Sequence, residues 1–156
     1  MGLGLAVTFV LTITSALNYF IYYHILEPLG IEYLRYIVFI VVIGAAVQLL
    51  EMFLERFSER LYFTLGIFLP LITVNCAILG VSLFMIIRKY TFIQSVLFGA
   101  GSGLGWLLAI LAMAGIRERL MEQKIPQPLR GPGIVLIITG IMAMAFIGFS
   151  GIVQIQ

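Results

Sequence analysis

The chain has 156 residues, of which 62% are hydrophobic and 10% charged, and its mean hydropathy is +1.16. An ordinary soluble domain is about half apolar and about a quarter charged, so the composition excludes a soluble globular domain and indicates an integral membrane protein. Nine Lys and Arg against seven Asp and Glu give a formal net charge of +2, with the basic residues single or paired between apolar runs. That pattern offers no nucleic-acid surface, and the one cysteine excludes an internal disulfide.

Charges divide the sequence into five uncharged stretches: Met1–Leu26, Tyr36–Leu50, Leu61–Ile87, Tyr90–Ile116 and Gly131–Gln156. A spanning helix needs about 20 apolar residues. Backbone groups in hydrocarbon must be satisfied within the segment, and alternating strand patterns are missing, so each stretch reads as a helix. The expectation is an all-α polytopic transmembrane protein, one membrane domain over 1–156, with spans near 3–26, 36–54, 61–87, 90–116 and 132–154. The first run begins without a preceding Lys or Arg and is too long for a signal-peptide core of about 7–15 residues, so it reads as a span.

Orientation follows from the connections. The second and fourth hold Arg56, Arg60, Arg117, Arg119, Lys124 and Arg130, whereas the first and third hold Arg35, Arg88 and Lys89. Six basic residues against three predict the former side to be cytoplasmic, placing the N-terminus of this chain inside and the C-terminus outside. A weak internal similarity links the first and fourth stretches: Gly2-Leu3-Gly4-Leu5 with Gly103-Leu104-Gly105-Trp106, then Glu27-Pro28-Leu29-Gly30 with Gln127-Pro128-Leu129-Arg130-Gly131. A separation near 100 residues pairs first with fourth and second with fifth, suggesting an inverted repeat in which the third stretch has no mate.

That third stretch carries the chemistry. Proline lacks an N–H and clashes with the preceding turn, so Gly66 and Pro70 mark a broken helix that restarts near Pro70. Cys76 then lies deep in the membrane, a turn or two from free N–H groups at a helix start. Thr73 and Ala77, Cys76 and Gly80, Gly99 and Gly103, and Gly101 and Gly105 each stand four apart, the spacing of packing seams. Cys76 has two readings: an inert thiol behaving as a small hydrophobe, or a metal ligand, since a thiolate in hydrocarbon needs a cation to hold it. One Cys cannot complete an iron–sulfur site, which takes four ligands.

Other polar positions are less directive. His24 reads as an interfacial residue, and with no second His a histidine metal site is disfavoured. Glu51 and Glu55, one turn apart, read as solvated helix-end carboxylates near Arg56 and Arg60, with an ion pathway as the alternative. Asn18, Gln48, Asn75 and Gln94 are suited either to bonds between helices or to a cation route. The chain has no Asp, and hydrolytic triads and carboxylate-pair chemistry fit poorly.

The string LGIFLPLITVNCAILG at 65–80 resembles the hallmark of the paired membrane subunits of the Na+-translocating NADH:quinone reductase (Nqr) and of the related Rnf electron-transport complex. The resemblance extends through GLGLAVTFVLTI, FIVVIGAAVQLLEMFLERF, SVLFGAGSGLGWLLAILAMAGIRERL and PLRGPGIVLIITGIMAMAFIGFSGIVQ. Within the family, GSGLGW and LITVNC are closer to the E-type subunit of Nqr than to the A-type subunit of Rnf.

The resemblance implies an electron-transfer subunit of six helices in two inverted three-helix repeats. It implies a [2Fe-2S] cluster held in the membrane between the D-type and E-type subunits, with Cys76 matching one of the ligands from the E-type side. NADH, FAD, FMN and quinone would sit on partner subunits of the six-subunit complex, which resides in the bacterial inner membrane and exports Na+; this chain would not be catalytic alone. Family members begin with one more helix bearing a first-repeat Cys in a Phe-Leu-Gly-x-Cys-like setting, and this chain starts just after it. The expectation is either a truncated or misassigned reading frame or a divergent short form. The rival functions are the A-type subunit of an Rnf-type ferredoxin:NAD oxidoreductase and a redox-silent transport or assembly subunit in which Cys76 only packs.

Overall fold

The computed structural model describes residues 2–57, 62–63, 66, 68–121, 126 and 131–150. The elements are α1 (Gly2–Ile21), a π-helical turn (Tyr22–Leu26), α2 (Glu27–Leu29), a 3-10 turn (Glu32–Leu34), α3 (Arg35–Phe57), α4 (Leu69–Thr73), α5 (Cys76–Ile87), α6 (Phe92–Met121) and α7 (Pro132–Ser150). Five helical segments are long and apolar enough to cross a membrane: Gly2–Leu29, Glu32–Arg56, Pro70–Ile87, Phe92–Leu120 and Pro132–Ser150. They correspond to the five expected spans; the expected beginning of the third, near 61, and the end of the fifth, 151–154, fall on or beside residues outside the described set. The structure comprises two compact units, Met1–Leu108 and Ala109–Gln156.

In the first unit α1 turns one stripe inward, Gly4, Val7, Val10, Leu11, Thr14, Ser15 and Asn18, the three-and-four spacing of a helix face. Val7, Val10 and Leu11 meet Ile43 and Val47 of α3, Ile72 of α4, and Ile78 and Val81 of α5. A second cluster joins Tyr22 and Leu26 to Phe39, Met85 and Ile86. Between helices in lipid there is little hydrophobic gain, so shape decides. α1 and α6 accordingly approach through small residues. A methyl group on Gly103 would lie 2.8 Å from Thr8 Cα, and one on Gly99 would lie 3.1 Å from the Leu11 carbonyl oxygen. Gly4 faces Leu107 while the Phe92 ring centroid lies 5.5 Å from that of Tyr19, so the two helices bearing the matched Gly-Leu-Gly strings run antiparallel. At Gly101 and Gly105 a side chain would meet nothing within 4 Å, so neither takes part in the packing of the first unit.

The expected single run to Leu26 instead widens into a π turn, closed by the Glu27 N–H donating to the Tyr22 carbonyl, and continues to Leu29. Pro28 explains it: the ring removes a donor and clashes with the carbonyl four residues back, and a wider turn relieves that crowding. Gly30, at φ 65, ends the helix in the left-handed conformation. The Ile31 N–H bonds the Leu26 carbonyl at 3.3 Å and the Gly30 N–H that of Glu27 at 3.2 Å, the paired closure of a helix C-terminus. The same closure ends α5, with Tyr90 N–H to Met85 O at 2.9 Å and Lys89 N–H to Ile86 O at 3.0 Å. Here the left-handed residue is Lys89, at φ 51.

Candidate functional site

Pro70 begins a helix as expected, occupying one of its first two positions. The helix does not run on. It stops at Thr73, Val74 adopts φ −92 and ψ 14, Asn75 takes an extended conformation at φ −72 and ψ 111, and α5 starts at Cys76. The physical reason lies in Thr73-Val74-Asn75: two β-branched residues disfavour continuation, and asparagine is among the best residues for starting a new helix. Its Oδ1 accepts the Ala77 N–H at 3.0 Å, and its carbonyl accepts the Ile78 N–H at 3.1 Å.

Two relationships set the depth of this break. Cys76 lies eleven residues from the end of α5 at Ile87, about 16 Å of helical rise, or roughly half of the 30 Å hydrocarbon layer. Thr73 Cγ2 stands 3.7 Å from where a β-carbon on Gly44 would lie, and Gly44 is the midpoint of the span Glu32–Arg56. Cys76 therefore lies well inside the candidate span Pro70–Ile87. It is also exposed on the surface of the chain. Gly80, one turn on, has nothing within 4 Å of a would-be β-carbon, so the Cys76 side of α5 presents a small-residue face along which another helix can approach closely.

Among the described residues no three His, Cys, Asp or Glu side chains are grouped to hold a metal ion. The donor set thus fits one thiolate contributed to a shared group, and does not fit a cluster held by this chain alone. The other polar positions are dispersed. His24 is exposed and stacks against Phe20 at 5.6 Å. Gln94 Oε1 accepts the Thr91 N–H at 3.0 Å and so closes the start of α6. Gln48 and Glu55 are exposed and Glu51 half-buried. Arg60, Lys124 and Arg130, used for orientation, lie outside the described residues. Asn18 is fully buried and donates from Nδ2 to Ser82 Oγ at 2.8 Å. Sequence reasoning passed over Ser82 and its buried neighbours Thr14, Ser15 and Ser95; hydroxyls inside otherwise apolar spans were the available signal.

Comparison with known proteins gives a consistent picture. A family model described as "Rnf-Nqr subunit, membrane protein" matches residues 1–153. The E-type subunit of the Na(+)-translocating NADH-quinone reductase from Chlamydia trachomatis serovar L2 is 52% identical over 163 residues, covering 97% of this chain and 67% of the relative. That of Serratia proteamaculans is 54% identical over 157 residues, covering 97% and 79%. The A-type subunit of the Na(+)-translocating ferredoxin:NAD(+) oxidoreductase complex from Acetobacterium woodii is 50% identical over 151 residues, covering 97% and 79%.

Proposed function

The chain belongs to the Rnf-Nqr family of membrane subunits, and from that membership we propose that it is the E-type subunit of a Na+-translocating NADH:quinone reductase. In this reading it forms one membrane domain and works as part of an oxidoreductase complex, with Cys76 supplying one thiolate to a [2Fe-2S] cluster shared with the D-type subunit. The observation that carries it is the placement of Cys76: inside a candidate span, first residue of a capped half-helix and exposed beside Gly80.

The cluster, when bound, accepts and releases one electron. The residues of this chain position it. Asn75 fixes the backbone that presents Cys76. The small face at Cys76 and Gly80 lets a neighbouring protein close over the site and keep water away, which tunes the potential of a bound cluster. Nicotinamide, flavins and quinone are assigned to partner subunits. Localisation is the bacterial inner membrane, with the C-terminus periplasmic and the N-terminus of this chain cytoplasmic, on the distribution of basic residues. The similarity to the Acetobacterium woodii relative supports a second reading, the same role in an Rnf-type complex taking electrons from ferredoxin.

Cys76→Ser in the purified complex tests the assignment. The expected result is loss of the cluster's electron paramagnetic resonance signal, a matching fall in iron content and loss of quinone reduction. A complex that keeps its full iron content and turnover after this change overturns it.

A further inference from the structure

Between α1 and α3 the first unit leaves an open groove with a volume of 610 Å3. On α1 its rim is Leu5, Phe9, Ile13 and Leu17, which follow one another at four-residue steps and so form one stripe of the helix. On α3 the rim is Leu49 and Phe53. These six side chains are exposed, while Ala6, Ala46 and Leu50 between them are half-buried. No lining residue carries a polar side chain, so the groove itself selects by shape alone.

The shape is narrow. The lining runs along α1 from Gly2 to Leu17, about 22 Å of helical rise, and the volume spread over that length gives a mean cross-section of about 28 Å2. A helix about 10 Å across needs about 80 Å2. A single methylene chain, about 5 Å across with its carbon contacts at about 4 Å, needs about 20 Å2. Helices in lipid also meet closely through small residues, as α1 and α6 do at Gly99 and Gly103, whereas the rims here are Leu, Ile and Phe. The groove thus matches one acyl chain.

Exchanging one apolar contact for another gains little inside a bilayer, so a particular lipid is retained only if its headgroup is held as well. Arg56 is placed to hold it. It ends the second candidate span, is exposed and lies two residues past Leu54, the last lining residue of α3. Three residues beyond Phe53, it stands about 60° from that ring around the helix, whereas Glu51 and Glu55, two residues to either side of Phe53, stand about 160° away. The mouth of the groove therefore carries a cation with the carboxylates turned off it, and a guanidinium grips phosphate oxygens with two parallel hydrogen bonds. We propose that the groove holds one acyl chain of an anionic phospholipid whose phosphate is bound by Arg56. The site rests on the packing of the first unit and stands without the assignment of Cys76.

Phosphatidylglycerol bearing a photoreactive group near the end of one acyl chain, reconstituted with the purified complex containing this chain, tests the proposal. In the wild type the label should fall on Phe9, Ile13 or Leu17, as read by peptide mass spectrometry. Excess phosphatidylglycerol should suppress that labelling about fivefold more effectively than phosphatidylcholine, the preference that one basic residue near a membrane surface confers on an anionic lipid. Arg56→Gln, at an exposed position, should bring the two competitors level, and Arg56→Lys should keep most of the difference. Ala46→Phe should fill the groove and abolish labelling at the three residues; if it fails to assemble, Arg56→Gln decides. The proposal is overturned if those residues stay unlabelled in the wild type, the result expected when a helix of a neighbouring subunit fills the groove. It is overturned equally if the two lipids compete alike in the wild type, or if the preference survives Arg56→Gln.

Discussion

Asn75 Oδ1 accepts the Ala77 N–H at 3.0 Å, and this bond, more than the ring of Pro70, decides where Cys76 is presented. Pro70 starts a helix of five residues; Asn75 starts the one that bears the thiol.

Replacing Asn75 with alanine should therefore cost about 1 kcal/mol of stability, the usual worth of such a cap. Asn75→Ser, which keeps an acceptor at that position, should recover most of it. Thermal denaturation of the two variants in detergent checks the difference, and a cluster signal that shifts in Asn75→Ala but returns in Asn75→Ser would tie the cap to the site.

The α1–α6 contact makes a second prediction from geometry alone. Gly103→Ala would force a methyl group to within 2.8 Å of Thr8 Cα, on a backbone that cannot swing away, so a loss of about 1–3 kcal/mol is expected. Gly105→Ala meets nothing within 4 Å and should leave the isolated chain unchanged or slightly more stable through better helix propensity. Equal effects of the two substitutions on the melting temperature would contradict this packing.

Lys89 closes α5 in a left-handed conformation that side chains adopt reluctantly. Lys89→Gly should relieve that cost and stabilise the chain by about 1 kcal/mol, whereas Lys89→Val should do the opposite. Denaturant titration of the paired variants reads the sign directly.

The five apolar helices were legible because hydrocarbon imposes length and apolarity on any crossing segment. Which face of each helix points inward was not. In lipid both faces are apolar, so the spacing of Gly99 and Gly103 looked no different from that of Gly101 and Gly105, although only the first pair meets α1. The exposure of Cys76 was hidden for the same reason. The break at Asn75 was masked by Pro70, the more conspicuous interruption five residues earlier. The Asn18–Ser82 bond joins residues 64 apart, a pairing that no local pattern contains.

The turn at Tyr22–Leu26 has a consequence for inheritance of the sequence. It is in effect a single extra residue stored inside a helix, so this stretch can absorb the loss of one codon. Deleting His24 or Ile25, both exposed, would let the wide turn close to an α turn with the residues on either side held in phase, at the cost of the crowding at Pro28 that the turn relieves, and Leu26 would keep its contact with Phe39 and Met85. The same deletion in the middle of α1 would rotate everything beyond it by about 100° and carry the buried stripe out of its contacts. Two changes that a hydropathy profile would score alike would thus be read differently by the fold.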